Sequence, residues 1–284
     1  MKLFDGKKFA NKILKQLAKD VKKTKKQPRL AVILVGDDSS SRLYVRLKKE
    51  AAEKVGIGFE EHFFDGQAKE EEIINKINEL NKDKKINGVI TQLPLPAIFN
   101  TDKIIEAIEP TKDIDGFHKE NIKLLEKQKR GLVPVLPSAI LTALSAALKN
   151  DLVGKEIFAL VNSELFGRTL KIVLENEGAK VNYLARNTCV VLGTEKELKL
   201  ADVVISVCGC PNMIKGEMIK EGAILIDAGI TRYHDGKVVG DIDKESVKDK
   251  AAFLTPVPGG IGPLTVALLL RNVYLASKNF TSES

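Results

Sequence analysis

The sequence predicts an α/β protein made of two α/β domains within 284 residues. Short apolar runs typical of buried strands alternate with helical patterns along almost the whole chain, and the alternation occurs in two series separated near Pro137. Alternation of this kind indicates parallel strands joined by crossover helices. The chain is also long enough to bury two cores.

The first series predicts three strands and two helices. The first of these helices begins at a cap in Ser39-Ser40-Ser41 and ends at Gly56, because serine favours helix starts and glycine favours helix ends. The second helix carries isoleucines and a leucine at helical spacing. The predicted strands are 30–36, 59–64 and 86–92, and the predicted helices are 39–55 and 70–81.

The second series has the strand–helix–strand rhythm of a Rossmann-like nucleotide-binding domain. Asp235-Gly236 predicts a hairpin turn. A strongly apolar helix from Leu264 to about Ser277 is expected to pack back against the first domain. The predicted helices are 138–148 and about 170–176, and the predicted strands are 157–161, 180–184, 203–207 and 223–227. We therefore expect domains 1–138, completed by 264–284, and 139–263.

The net charge of +7 includes nine lysines between Lys7 and Lys26. Phe9, Ile13 and Leu17 recur there at helical spacing, so an amphipathic helix with a solvated lysine face is the favoured interpretation. A nucleic-acid patch is the alternative, but the segment lacks interleaved aromatic residues and any recognisable binding module. We expect neither a nucleic-acid partner nor a membrane, since no apolar run has spanning length.

The cysteines and histidines predict neither disulfides nor a metal site. Three cysteines, Cys189, Cys208 and Cys210, do not form a disulfide framework, and Cys-x-Cys without further ligands is a poor metal site. The three histidines have no ligand spacing. The start of the chain lacks an apolar signal core. A reduced, cytoplasmic location is therefore expected.

Tyr44 and Lys48 lie four residues apart on one face of the predicted helix 39–55. A lysine in a partly dry cleft can have a lowered pKa and act as a general acid or base, and an aromatic ring beside it can stack on a flat ligand. An ordinary surface pair is the alternative interpretation, and these five residues alone favour it.

Polar residues follow the third predicted strand. Gln92 precedes Leu93 and Pro94 at a strand's carboxyl end, where open α/β sheets bind ligands, and could orient a neighbouring amine. Asp113 or Asp115 could accept hydrogen bonds from an amino-heterocycle. For Asp115, a simple turn residue before glycine is the alternative.

Two loops have the composition of ligand-binding turns. The segment 255–265 contains three prolines and three glycines, including Pro258, Gly259 and Gly260, which favours a rigid loop that lets backbone approach a ligand closely. A domain-crossing turn is the alternative. Asn162-Ser163 follows a predicted strand and opens a helix, where an anion could bind.

Together these segments resemble the bifunctional methylenetetrahydrofolate dehydrogenase/cyclohydrolase family over essentially the whole chain. Six short motifs appear in the family's order, and the Lys-Asp-Ile-Asp-Gly block and the closing Pro-Gly-Gly loop are the most specific. The motifs are Tyr44-x-x-x-Lys48, Gln92-Leu-Pro-Leu-Pro96, Lys112-Asp-Ile-Asp-Gly-Phe117, Ser163-x-x-x-Gly167, Asp227-Ala-Gly-Ile230 and Thr255-Pro-Val-Pro-Gly-Gly260.

The resemblance implies an enzyme of one-carbon metabolism and purine biosynthesis. It would oxidise 5,10-methylenetetrahydrofolate with NADP, or alternatively NAD, and hydrolyse the methenyl product to 10-formyltetrahydrofolate. Lys48 would be the general acid/base, Gln92 would position it, Tyr44 would stack on the folate, and Asp115 would anchor the pterin. The resemblance further implies a homodimer, tetrahydrofolate substrates with or without polyglutamate tails, and a folate cleft lined by Leu93, Pro94 and the segment 258–260.

This chain departs from the family pattern in the cofactor half. Val161-Asn162-Ser163 stands where the family usually has Gly-Arg-Ser, and Ala185-Arg186-Asn187 stands where it has His-Ser-Arg. Arg186 is either a displaced phosphate clamp or a surface charge. The resemblance makes Val161, Asn162, Ser163, Arg186 and Ile230 the candidate cofactor residues. The departures keep two alternatives open, a cyclohydrolase without a working dinucleotide site and a non-catalytic folate- or nucleotide-binding protein.

Overall fold

The computed structural model describes residues 1–129, 131–186, 188–189, 191, 193–233 and 235–278. It confirms the α/β fold, and the chain divides into two compact units. The first unit comprises Ala10–Val135 with Val266–Ser284, and the second unit comprises Met1–Phe9 with Leu136–Thr265.

Strands and helices alternate along the described residues. The strands are β1 Lys2–Leu3, β2 Arg29–Val35, β3 Gly58–Phe64, β4 Gly88–Thr91, β5 Glu156–Val161, β6 Lys180–Ala185, β7 Val203–Val207, β8 Ile224–Asp227, β9 Thr231–Arg232, β10 Val238–Val239 and β11 Phe253–Leu254. The helices are α1 Gly6–Val21, α2 Ser39–Val55, α3 Glu70–Lys82, α4 Thr101–Glu106, α5 Lys119–Glu126, α6 Val135–Leu148, α7 Glu164–Glu175, α8 Glu195–Leu200, α9 Lys244–Val247 and α10 Ile261–Ser277, with a 3₁₀ turn at Gly216–Met218.

The first unit contains a parallel three-stranded sheet in the order β3-β2-β4. One face of β2 packs on α3 through Ile33, Ile73 and Ile77, all of which are fully buried. Because β2 and β4 pair in parallel, their carboxyl ends lie at the same edge of the sheet. Along the N-terminal helix α1, the lysines from Lys7 to Lys19 are exposed and Leu17 is buried, as expected for an amphipathic helix.

The second unit contains a parallel six-stranded sheet in the order β1-β11-β8-β7-β5-β6. Its β5 lies between β6 and β7, so the chain leaves β5 toward one side and later returns on the other. Open α/β sheets bind ligands at the carboxyl ends of the strands where this reversal occurs. The hairpin predicted from Asp235-Gly236 is present as the antiparallel pair β9–β10.

One helix has a different capping residue from the one that the sequence predicts, and two helices begin earlier than predicted. Helix α2 is capped by Asp38, whose carboxylate accepts a 2.7 Å hydrogen bond from Ser41 N, rather than by a serine. Helix α6 begins at Val135, since Pro137 is tolerated in a first turn. Helix α7 begins at Glu164, six residues before the apolar spacing had indicated, because Ser163 caps it.

The last helix packs on the first unit, as predicted. In α10 the buried Asn272 donates hydrogen bonds of 2.9 Å to Ile114 O and 3.0 Å to Val133 O. Val273 lies beside Gly88 at the start of β4. Within the described residues, no helix is both long and apolar enough to cross a membrane.

Candidate active site

Lys48 and Gln92 are in direct contact in the first unit. Lys48 Nζ donates a 2.7 Å hydrogen bond to Gln92 Oε1, although 44 residues separate them in the chain. Gln92 Nε2 donates to Leu93 O at 2.6 Å, which fixes the amide so that its oxygen faces the lysine. The site is therefore built from the middle of α2 and from the residue that follows β4.

Burial and charge make Lys48 suited to proton transfer. Burial lowers the pKa of Lys48, and the negative charge of Asp115 raises it, with burial the larger effect. Burial likewise raises the pKa of Asp115 to about 6, against the opposing effect of Lys48. These mutual effects place the Asp115 carboxyl within electrostatic range of the Lys48 amine.

Asp113 holds the loop rather than a ligand. Its buried carboxylate accepts hydrogen bonds from Gly116 N at 3.2 Å, His118 N at 2.7 Å and Asn121 Nδ2 at 3.0 Å. Lys112, in the same sequence block, donates to three carbonyl oxygens at the end of α3. Of the two aspartates that the sequence left open, Asp115 is the one with an electrostatic link to Lys48.

The remaining candidate residues of the first unit are close in sequence to Lys48 or Gln92. Tyr44 lies one turn before Lys48 on α2 and is half-buried. Leu93 is 40% exposed and Pro94 follows it through a cis peptide bond. Asn272 was not a candidate, yet it holds the carbonyl of Ile114 next to Asp115. A polar residue within the apolar run of α10 is the sequence signal that could have identified it.

Pro258, Gly259 and Gly260 lie in the second unit, next to the start of α1. Gly260 N donates to Pro256 O at 2.8 Å, closing a turn in which Gly259 has a φ of +104°. A Cβ atom on Gly6 would come within 1.7 Å of Gly260 O, so these glycines let two backbones touch. The composition of segment 255–265 is therefore explained in part by this packing.

The predicted cofactor residues lie at the carboxyl ends of β5 and β6. Val161 is the last residue of β5 and is fully buried, so its branched side chain is enclosed within the unit. Asn162 and Ser163 are exposed, and Ser163 Oγ accepts a 3.4 Å hydrogen bond from Phe166 N at the start of α7. The first turn of α7 is thus exposed at the strand end, where a phosphate group binds favourably.

Gly167 allows α7 to lie close to β6. A Cβ atom at this position would come within 2.4 Å of the ring of Tyr183. Close helix–strand packing is one of the tasks of glycine in dinucleotide-binding turns. Gly167 therefore keeps one feature of a dinucleotide-binding turn, although the usual glycine before the turn is replaced by Val161.

Arg186 and Ile230 flank the same edge of the sheet. Arg186 N donates to Val161 O at 2.8 Å, which places Arg186 beside Asn162. Burial is the main cause of a raised pKa at Cys208, and the positive charge of Arg186 opposes it by lowering that pKa. Because this charge acts on Cys208, Arg186 also lies near the loop after β7. Ile230 is 42% exposed, and its neighbour Thr231 donates to Gly209 O at 3.0 Å. Asn187 and His234 lie outside the described residues.

A buried carboxylate that sequence analysis missed holds the loop after β7. Asp241 is fully buried and accepts hydrogen bonds from Ser206 Oγ at 2.7 Å, Cys208 N at 2.7 Å, Gly209 N at 3.3 Å and Cys210 N at 2.6 Å. Asp227 in turn accepts from Asp241 N at 3.1 Å, and burial raises the pKa of Asp227 to about 7. The link spans more than 30 residues, so no local sequence pattern indicates it.

The expectation that the cysteines do not pair is wrong for Cys189 and Cys210, which form a disulfide. The loops after β6 and β7 bring their Cα atoms to 5.2 Å, within the range that a disulfide spans. Cys208 is a free thiol. The cysteines therefore give no support to a reduced compartment. The described residues contain no cluster of metal-binding side chains.

Two family models match the chain. Residues 4–115 match the catalytic domain of tetrahydrofolate dehydrogenase/cyclohydrolase, and residues 134–281 match the NAD(P)-binding domain of the same family. Curated relatives carry the name bifunctional protein FolD. That of Nautilia profundicola is 41% identical over 100% of this chain and 99% of its own length, and that of Bacillus subtilis is 39% identical over 99% of each.

Solved structures with the same fold cover nearly the whole chain. The bifunctional FolD dehydrogenase/cyclohydrolase of Campylobacter jejuni is 37% identical, with a TM-score of 0.91 over 98% of this chain and 99% of its own. The Trypanosoma brucei FolD, complexed with NADP cofactor and an inhibitor, is 28% identical, with a TM-score of 0.90 over 99% and 98%.

Proposed function

The chain belongs to the tetrahydrofolate dehydrogenase/cyclohydrolase family, and on that premise we propose how its residues carry out the two reactions. It is a methylenetetrahydrofolate dehydrogenase that uses NADP and a methenyltetrahydrofolate cyclohydrolase. The hydrogen bond between Lys48 Nζ and Gln92 Oε1, beside Asp115, is the observation that carries the assignment of the proton-transfer residues.

The two reactions make different demands on the protein. In the oxidation, the residues of the second unit would hold NADP, which would supply the hydride acceptor, and the protein contributes mainly positioning to that step. Hydrolysis of the methenyl cation requires the attacking water to lose both of its protons, of which one goes to a ring nitrogen and the other is released to solvent. Only the second reaction therefore depends on a side chain that exchanges protons.

Lys48 is the group proposed to exchange those protons. Its lowered pKa increases the fraction of neutral amine near neutral pH, which can accept a proton from the attacking water. The ammonium formed can then return the proton to the leaving nitrogen. Gln92 positions the amine, because its own amide is held by Leu93 O and cannot turn its nitrogen toward Lys48 without losing both hydrogen bonds.

Asp115 is the proposed anchor for the amino-heterocycle of the folate, with Tyr44 as the stacking ring. Since its pKa is raised to about 6, the carboxyl is protonated below that pH and ionised above it. We expect kcat/KM for methenyltetrahydrofolate hydrolysis to fall as the pH drops through about 6, because protonated Asp115 loses an acceptor for paired N–H donors. Measuring kcat/KM from about pH 5 to about pH 8, roughly one unit below and two units above that pKa, checks this.

The Asp115→Asn variant should lose the decrease near pH 6, keep only the decrease that protonation of Lys48 causes, and have a raised KM at every pH. Asp102→Asn, which changes an exposed carboxylate on α4, is the matched control and should keep the wild-type profile. An unchanged decrease near pH 6 in Asp115→Asn would assign that decrease to another group.

The exposed turn 162–163, the start of α7 and Arg186 are proposed to hold the NADP phosphates, with Ile230 as an apolar boundary and the buried Val161 contributing its backbone at the end of β5. Arg186 is the proposed partner of the 2′-phosphate. Arg186→Ala should raise the KM for NADP about tenfold to a hundredfold and change that for NAD little, as one lost charge-assisted contact is worth about 1.5–3 kcal/mol. Parallel assays of methylenetetrahydrofolate oxidation with NADP and NAD measure this.

Lys196→Ala removes the same charge from an exposed position on α8 and is the control for long-range electrostatics. An equal rise in the KM for NADP in Lys196→Ala and Arg186→Ala would show that Arg186 acts only as a general surface charge. Loss of activity with both cofactors in Arg186→Ala alone would place Arg186 in a structural role.

The remaining assignments extend this function. We propose that the catalytic domain is 1–138 with 264–284 and that the NAD(P)-binding domain is 139–263. Pro258–Gly260 and Leu93-Pro94 would contact the folate, whose polyglutamate forms are also substrates. A homodimer is supported by the position of β6 at one end of the described sheet, since an edge strand is suited to pairing with a second copy. A cytoplasmic location follows from the folate substrates and requires that the disulfide be reducible.

A further inference from the structure

The disulfide between Cys189 and Cys210 joins two loops that flank the carboxyl end of β5. Strands β6 and β7 both pair with β5, on opposite sides, so their axes are about 9–10 Å apart at two strand spacings. The Cα atoms of Cys189 and Cys210 are only 5.2 Å apart. The loops therefore converge at the end of β5, and the bridge links them there.

This position coincides with the crevice in which a dinucleotide binds. Ligands of such sheets lie outside the strand ends at the reversal of strand order, here between β5 and β7. A planar ring held between two walls needs about 7 Å between the wall atoms, twice the usual carbon–carbon contact distance. Two loops tied at 5.2 Å leave no such gap at Cys189 and Cys210.

One of the two loops is fixed independently of the bridge. Asp241 holds the backbone amides of Cys208, Gly209 and Cys210, so that loop keeps its place whether or not the disulfide is present. Breaking the bridge therefore frees the Cys189 side of the crevice. Cys189 is exposed, whereas Cys210 is 5% exposed, so Cys189 is the sulfur that an incoming thiol can reach.

We propose that Cys189 and Cys210 are a reversible thiol–disulfide site whose oxidised form closes the crevice to NADP and whose reduced form opens it. This inference rests on the NADP-dependent dehydrogenase function proposed above. The cyclohydrolase residues lie in the other unit and need no NADP, so the bridge controls oxidation and leaves hydrolysis of added methenyltetrahydrofolate unaffected.

The exchange balances with a small-molecule or protein disulfide as oxidant. The Cys189 thiolate attacks that disulfide, forming a mixed disulfide and releasing one thiol. The Cys210 thiolate then attacks the Cys189 sulfur, forming the bridge and releasing the second thiol. The two protons lost by the cysteines go to the two released thiols. A dithiol reductant reverses both steps by attacking first at exposed Cys189.

The test uses the full-length protein equilibrated with either dithiothreitol or oxidised glutathione. Alkylation and intact-mass analysis measure the fraction bridged, and NADP titration measures the dissociation constant in each state. We expect NADP to bind at least tenfold more weakly to the bridged form, with methylenetetrahydrofolate oxidation reduced in parallel at subsaturating NADP and methenyltetrahydrofolate hydrolysis equal in both states.

Two variants separate the bridge from other thiol effects. Cys189→Ser should bind NADP as the reduced protein does under both conditions, and Cys208→Ser, which removes the free thiol, should keep the redox response. Equal NADP affinity in the bridged and reduced forms, or no bridge under the oxidant, would overturn the proposal. Absence of NADP-dependent oxidation in every redox state would instead contradict the dehydrogenase assignment itself.

Discussion

Lys48→Met is expected to lower the rate of methenyltetrahydrofolate hydrolysis by about 10²–10⁴-fold, the usual contribution of a positioned acid/base group. Methionine keeps the length and apolar stem of the side chain but has no amine to exchange protons. Substantial methylenetetrahydrofolate oxidation should remain, since hydride transfer depends on positioning. Separate assays of methenyltetrahydrofolate hydrolysis and NADPH formation measure the two effects.

Lys49→Met provides the matched control for Lys48→Met. Lys49 is the next residue of α2 and is exposed, so this change removes the same charge without touching Gln92. Both activities should stay near wild type in the control. Equal loss of oxidation and hydrolysis in Lys48→Met would contradict a role confined to proton transfer and would indicate that Lys48 mainly binds folate.

The second large effect is expected at Asp241. In Asp241→Asn one acceptor oxygen is replaced by an NH₂ group, which must then face a buried backbone or hydroxyl donor. Each such unsatisfied buried group costs about 1–3 kcal/mol, so the second unit should lose about 2–5 kcal/mol of stability. NADP binding should weaken as well, because the loop after β7 loses the carboxylate that holds three of its amides.

Denaturant unfolding of the wild type and the variant, with NADP titration under native conditions, measures both effects. Asp243→Asn is the control. Asp243 lies two residues further on and caps the short helix α9 through Ser246 N. That substitution should cost less than 2 kcal/mol, because asparagine also caps helices. Comparable destabilisation by both substitutions would show that the Asp241 carboxylate contributes no more to stability than an ordinary helix cap does.

Much of the fold follows from local sequence signals. The apolar run at 30–36 predicts β2, and the start and stop signals around helix 39–55 predict α2 almost to the residue because Gly56 ends it with a φ of +82°. Local sequence signals do not predict β1, since a two-residue strand has no sequence pattern and forms only by pairing with β11.

In the candidate site, too, local arrangements can be predicted from the sequence, whereas contacts between distant residues cannot. Tyr44 and Lys48 are one helical turn apart, so the sequence predicts that they share one face of the helix. The family resemblance implies that Gln92 positions Lys48 and that Tyr44 stacks on the folate. The contact from Lys48 to Gln92 and the convergence of Cys189 with Cys210 depend on how strands order in a sheet. The four hydrogen bonds to Asp241 likewise require the folded second unit, which is why no motif indicates them.

The most direct test of the bifunctional assignment is a time course with reduced wild-type protein, methylenetetrahydrofolate and NADP. NADPH, methenyltetrahydrofolate and 10-formyltetrahydrofolate would be quantified separately. Both activities on one chain predict that NADPH and 10-formyltetrahydrofolate rise together, with the methenyl product hydrolysed faster than in a protein-free control. NADPH formation with methenyltetrahydrofolate hydrolysed only at the protein-free rate, or no NADPH at all, would contradict it.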